Sequence, residues 1–242
     1  MDTEKAPIVI GVGGLLEQGE SGRIQDMLGK LQEHGCITYS IRFSTICRNG
    51  DTILCPMSDQ WNGNFIATAE AAMQDPRVDR TRVGIIASSI GATIVDYVIA
   101  TNSFLSEGLG PYAAISPLAR PHSNAVLGIN YLLNAGRDLD VSFPHDKEKG
   151  VRRIIPHANL RNVLQINTPL ELAKRSRAYN IRPLTIIGKR DDRCDIDASR
   201  ERHGILGGQK EFLLEYDEGH GVPAEITEKP IIKFMLKELN LN

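Results

Sequence analysis

The sequence predicts an α/β protein: one mostly parallel sheet of about six strands, covered by helices on both faces. Three observations carry this. Short β-branched runs alternate with amphipathic helical patterns along most of the 242 residues, the order expected of a parallel sheet with crossover helices. The opening run Pro7–Val12 (PIVIGV) is continuous and apolar, as in a strand buried on both faces. The residues best suited to chemistry follow strands, and such sheets bind ligands beyond the carboxyl ends of their strands.

After that first strand, Ser21–His34 reads as a helix. Ile24, Met27, Leu28 and Leu31 recur at three- and four-residue intervals, and Gly35 stops the stripe as a C-cap. Cys36–Phe43 is the next strand. Gln60–Met73 is a helix with Ile66, Ala69, Ala72 and Met73 on one face. Val83–Ser88 is a third strand, Ile90–Ala100 a third helix and Tyr112–Ser116 a fourth strand. Leu170–Tyr179 reads as a helix, Pro183–Gly188 as a fifth strand and Phe212–Tyr216 as a sixth. Glu228–Leu239 closes the chain as a helix, with Ile232, Met235, Leu236 and Leu239 inward. Right-handed crossovers between these strands give a doubly wound sandwich.

The stretch 119–167 breaks the alternation and is too long for an ordinary loop in a compact domain. It carries Pro121, Pro144 and Pro156, the histidines His122, His145 and His157, and apolar pieces at Val126–Leu133 and Ile154–Ile155. It leaves the carboxyl end of the fourth strand, so it is expected to form a cap over that edge. The expected organisation is a core of residues 1–118 and 168–242 with a cap insertion at 119–167.

Composition narrows the function. Hydrophobic residues make up 41% and charged residues 24%, enough for one sizeable core and typical of a globular chain. The 28 basic and 30 acidic residues leave a formal net charge of −2, so no basic surface for nucleic acid is expected. Cys36, Cys47, Cys55 and Cys194 show no C-x-x-C spacing and no grouping with histidine. They read as reduced thiols of a cytoplasmic protein, with no metal centre. No signal peptide or membrane span is expected.

The most informative stretch is Ala87-Ser88-Ser89-Ile90-Gly91, where a buried strand runs into a helix. Small residues two before and two after Ser89 match the sharp turn of a nucleophile elbow. For Ser88 the corresponding flanks would be Ile86 and Ile90, which are too large. A hydroxyl is a weak nucleophile without a base. His220, in Asp217-Glu218-Gly219-His220-Gly221 after the sixth strand, can supply one. Asp191, three residues after Gly188, is the candidate to orient that histidine; Asp192 and Asp195 share its loop. An oxyanion hole needs two backbone N–H groups. Ile90 offers one, and the glycine loop Gly11-Val12-Gly13-Gly14-Leu15-Leu16 offers the other through Gly14, with Leu15 the alternative. The same loop departs from a dinucleotide fingerprint, since Leu16 replaces the third glycine and Arg42 rather than an acid stands near the end of the second strand.

With Ala87-Ser88-Ser89-Ile90-Gly91, Gly188-Lys189-Arg190-Asp191 and Glu218-Gly219-His220 in this order, the chain resembles the α/β-hydrolase superfamily over nearly its whole length. It is similar to small capped esterases of the feruloyl or cinnamoyl kind, and to the dienelactone-hydrolase and acyl-peptidase groups. The resemblance implies an α/β-hydrolase three-layer sandwich lacking the family's first two strands. It implies a serine hydrolase of carboxylic esters acting on a small-molecule acyl substrate without a cofactor. Val12 stands where the family usually has histidine, and Arg48-Asn49-Gly50-Asp51 only loosely matches the family's Arg-Gly-His-Gly turn. An amide or thioester substrate, or a ligand-binding role without catalysis, are the competing readings.

Overall fold

A computed structural model describes residues 5–15, 22–41, 43, 45–48, 51–102, 108–142, 148, 150, 152–175 and 180–241. Leu16, Arg42, Asn49, Gly50, Pro144 and His145, singled out above, lie outside them, as do the ends of the helices expected to begin at Ser21 and end at Tyr179.

The described residues form a three-layer α/β/α sandwich around a six-stranded, all-parallel sheet. Its strands are β1 (Ala6–Val12), β2 (Ile37–Ile41), β5 (Val78–Ser88), β6 (Leu109–Ile115), β9 (Arg182–Gly188) and β10 (Leu213–Tyr216), in the spatial order β10-β9-β6-β5-β1-β2. The continuous apolar character of β1 has a direct cause. Ile8, Ile10 and Val12 face one core, while Val9 faces the other.

Helices α1 (Arg23–Glu33) and α8 (Ala224–Glu238) close one face, burying Ile24, Met27, Leu28 and Leu31 with Ile231, Phe234 and Met235. The opposite face carries α2 (Asp59–Gln74), α3 (Ile90–Thr101), α6 (Thr168–Lys174) and α7 (Ile196–Ile205). Ser58 caps α2 by accepting from the Trp61 N–H, and Trp61 stacks on Phe43 at 4.5 Å between ring centroids. The closing helix begins at Ala224, four residues before the expected Glu228, with Pro223 at its N-cap.

Helix α7 has no counterpart among the expected elements. Its buried residues are Ala198, Ser199, Arg202 and His203, so its inner face has no apolar stripe. Burial is made tolerable by pairing. Arg202 Nε and Nη2 bond the two carboxylate oxygens of Asp96 on α3 at 2.6 and 2.8 Å, and Tyr112 donates its hydroxyl to the same carboxylate at 3.0 Å. His203 bridges the Thr185 hydroxyl and the Gln209 carbonyl at 3.0 and 2.9 Å.

A second, four-stranded sheet lies outside the first, in the order β3-β4-β8-β7. Strands β3 (Ile46–Arg48) and β4 (Asp51–Ile53) pair antiparallel, with Arg48 opposite Asp51. Strands β7 (Leu139–Asp140) and β8 (Arg152–Ile155) belong to the stretch 119–167, as do helices α4 (Ser123–Asn134) and α5 (His157–Leu164). β8 runs parallel to β4. Ile129, Ile155 and Leu160 bury against Leu54 in a small core of their own, to which Leu15 of the glycine loop also packs. No helix among the described residues is long and apolar enough to cross a membrane.

Candidate active site

Strand β5 ends at Ser88 and helix α3 begins at Ile90, so Ser89 alone makes the turn between them. Its backbone has φ 51° and ψ −124°, a conformation that costs a non-glycine residue on the order of 1–3 kcal/mol. Three backbone hydrogen bonds hold it there. Ser89 N–H donates to Ile115 O at 2.9 Å, and Ser89 O accepts from Ala92 and Leu118 N–H at 3.1 and 3.2 Å.

The small residue at position 91 is required by the first loop. A Cβ on Gly91 would stand 2.5 Å from Gly13 O and 2.7 Å from Val12 O. The glycine loop is thereby pressed against the start of α3, and Gly14 comes alongside Ser89: a Cβ there would meet Ser89 Cβ at 3.1 Å. Ile90, at the first position of α3, carries one of the N–H groups that an α-helix leaves without an intrahelical acceptor. The helix terminus also brings partial positive charge to the serine hydroxyl.

Ser89 Oγ lies 2.9 Å from His220 Nε2, and His220 Nδ1 lies 2.9 Å from Asp191 Oδ2. The three side chains come from loops far apart in sequence but adjacent at the carboxyl edge of the sheet, after β5, β9 and β10. The other Asp191 oxygen, Oδ1, accepts from the N–H groups of Arg193 and Cys194 at 2.9 Å each. Burial raises the Asp191 carboxyl, but the His220 hydrogen bond and charge and these two N–H groups outweigh it and hold it below the ordinary carboxylate range. Asp195 instead caps α7, accepting from Ala198 N–H at 3.0 Å, and Asp192 is exposed.

Ser88 takes a different role from its neighbour. Its buried hydroxyl accepts from Arg23 Nη2 at 3.1 Å, while Arg23 Nη1 donates to Val222 O at 2.7 Å. Arg23 therefore links the serine turn to the loop that carries His220. Sequence reasoning passed over it because a lone arginine at a helix start carries no motif.

Cys194 is the other residue that the sequence did not bring forward. Its sulfur lies 3.4 Å from His220 Nδ1 and 3.7 Å from Ser116 O. Burial first, then the Asp191 carboxylate, push its thiol well above the ordinary range. Asp191, Cys194 and His220 present one ligand atom each, all within 4.8 Å of one another. Among the described residues this is the one grouping of His, Cys, Asp and Glu suited to a metal ion.

The stretch 119–167 is fastened beside this site. Thr168 N–H bonds Ala119 O at 2.9 Å, closing its two ends together. His122 N–H donates to Arg193 O and Asp195 N–H donates to Arg120 O, both at 2.8 Å. The base of the stretch is thus tied to the loop that holds Asp191.

No protein-family model and no curated sequence matches the chain. Solved structures do. Est1E from Butyrivibrio proteoclasticus is 16% identical, with a TM-score of 0.67 over 99% of this chain and 90% of its own. The α/β hydrolase GrgF from a Penicillium species is 13% identical, with a TM-score of 0.63 over 98% and 92%. A monoacylglycerol lipase of Paleococcus ferrophilus is 17% identical, with a TM-score of 0.62 over 97% of each chain. The likeness spans nearly the whole of both partners in each case, and the fold of this protein is that of the α/β-hydrolases.

Proposed function

We propose that the protein is a serine hydrolase that cleaves carboxylic esters of small acyl substrates through an acyl-enzyme. The observation that carries this reading is the unbroken hydroxyl–imidazole–carboxylate line, 2.9 Å at each step, built on a serine with a strained backbone. Ser89 attacks the ester carbonyl while His220 Nε2 takes its proton. Asp191 holds the proton on Nδ1 and stabilises the imidazolium that forms. The N–H groups of Ile90 and Gly14 receive the developing oxyanion. His220 returns the proton to the leaving alcohol, then activates water to release the acyl group.

Further support comes from the neighbours, whose names include a monoacylglycerol lipase and, for Est1E, a structure with bound ferulic acid. An amide or thioester would use the same groups, so the ester assignment rests on these neighbours and not on the site. The stretch 119–167 serves as a cap over the Ser89 site. Its ties to the Asp191 loop and its contact with Leu15 support that role.

Labelling with a fluorophosphonate followed by peptide mapping tests the reading. A single adduct on Ser89, absent in Ser89→Ala, is expected. An unlabelled wild-type protein that is folded would refute it. A panel of short and bulky aryl esters then reads the acyl preference.

A further inference from the structure

We propose that Asp191, Cys194 and His220 form an inhibitory site for a soft divalent cation, with zinc the best fit, bound where His220 Nδ1 otherwise carries its proton. The inhibition rests on the hydrolase reading above; the binding does not.

The three ligand atoms lie within 4.8 Å of one another, and the two separations that involve the imidazole are already close to those of a metal site. Zinc binds imidazole nitrogen at about 2.0–2.1 Å and thiolate at about 2.3 Å, so a tetrahedral ion separates the two ligand atoms by about 3.5 Å. The Nδ1–Sγ separation is 3.4 Å. Nitrogen and carboxylate oxygen on one zinc stand about 3.3 Å apart, against the 2.9 Å between His220 Nδ1 and Asp191 Oδ2. The imidazole needs to withdraw by only a few tenths of an ångström, and it belongs to a loop residue with 16% of its side chain exposed.

Charge favours the same occupant. A carboxylate, a thiolate and a neutral imidazole together carry two negative charges, which cancel those of a divalent cation. A buried site of zero net charge avoids most of the desolvation cost of a buried ion. A thiolate and an imidazole select zinc over magnesium or calcium, which prefer all-oxygen sites. Ser116, whose carbonyl touches the sulfur, has a buried hydroxyl without a hydrogen-bond partner among the described residues, so polar capacity remains next to the cluster.

The exchange is balanced in protons. Zinc displaces the thiol proton of Cys194 to solvent. The proton on His220 Nδ1 is lost, and one is taken up on Nε2, so the imidazole stays neutral. Nε2 then donates toward Ser89 instead of accepting from it, and the serine has no base. Nothing is oxidised or reduced, and removing the metal restores the active tautomer.

The test uses the full chain, wild type and the variants Cys194→Ala and Cys194→Ser, with zinc and cobalt(II) as probes. Thiolate-bound cobalt absorbs in the near ultraviolet, whereas cobalt held by imidazole and carboxylate alone does not. Wild type is expected to develop this band with one equivalent of cobalt and to lose it on adding zinc. Zinc should slow ester turnover, and a chelator should restore it. In Cys194→Ala the band should vanish, and half-inhibition, measured against that variant's own metal-free rate, should need on the order of tenfold more zinc or above. If Cys194→Ala fails to fold by thermal melting, Cys194→Ser carries the comparison. A wild-type protein without the band, a band that survives in both variants, or a band with undiminished turnover would each overturn the proposal. A band in a protein whose Ser89 takes no fluorophosphonate sinks the hydrolase reading alone.

Discussion

Gly188 and Gly219 pack backbone to backbone, so close that a Cβ on Gly188 would stand well inside van der Waals contact distance of the Gly219 and Glu218 carbonyl oxygens. Lys189 N–H donates to Tyr216 O at 2.7 Å and Arg190 N–H to Glu218 O at 2.9 Å, so the Asp191 loop and the His220 loop leave their strands as a joined pair. Gly188→Ala must drive these loops apart. It is expected to cost about 1–3 kcal/mol of stability, and ester turnover is expected to fall about 100-fold because His220 moves relative to both partners. Thermal melts and initial rates on the same preparations check this; wild-type turnover would show that the loop pairing does not position the base.

Ser89→Ala should abolish ester hydrolysis, by a factor on the order of a thousand or more, while the protein still melts cooperatively. Ser88→Ala should retain most of it, because the Ser88 hydroxyl is turned to Arg23. Equal losses in both would mean that the reacting hydroxyl has been misassigned.

Asp191→Asn should reduce turnover by about 10⁴-fold, since an amide favours the wrong imidazole tautomer. The substitution also has a pH signature. Because Asp191 sits below the ordinary carboxylate range when folded, the folded state binds fewer protons there than the unfolded one. Its contribution to stability is complete above the unfolded value of about 4 and is lost as pH falls through the lower folded value. Denaturant titrations across the acid range should therefore show a steeper decline in wild type than in Asp191→Asn. Parallel curves would contradict the assignment of that charge.

Arg23 joins Ser88 Oγ to Val222 O, neither of which is a reacting atom. Arg23→Ala is expected to lower kcat several-fold with little change in KM, and Arg23→Lys, which can reach one partner at a time, to recover part of it. A change confined to the melting temperature would make Arg23 purely structural.

Arg202 and Asp96 are both fully buried and bonded through two hydrogen bonds. Removing one partner leaves a buried charge unpaired, so Arg202→Met or Asp96→Leu alone should cost about 3–5 kcal/mol, and the double substitution less than the sum. Chemical denaturation of the four proteins measures the coupling. Additive losses would show that the pair contributes no interaction of its own.

Much of this protein is determined locally, by patterns of apolar residues that burial requires. The strands β1, β5, β6, β9 and β10 and the helices α1, α2, α3 and α8 follow from their spacing. Ser89 stands out for the same reason, because only small neighbours survive so tight a turn, and Gly91 meets the Gly13 carbonyl there. Helix α7 escaped that logic. Its buried face is polar, and Arg202 and His203 become tolerable inside only through partners on α3, β9 and the loop after α7. The second sheet escaped it too, since β8 finds its parallel partner in β4, about a hundred residues earlier in the chain. The choice of Asp191 over Asp192 and Asp195, and the arrival of the Cys194 sulfur at His220, depend on how one turn is wound. Residues one to four apart on a loop look alike in sequence, and the backbone hydrogen bonds that aim their side chains come from strands that only folding brings alongside.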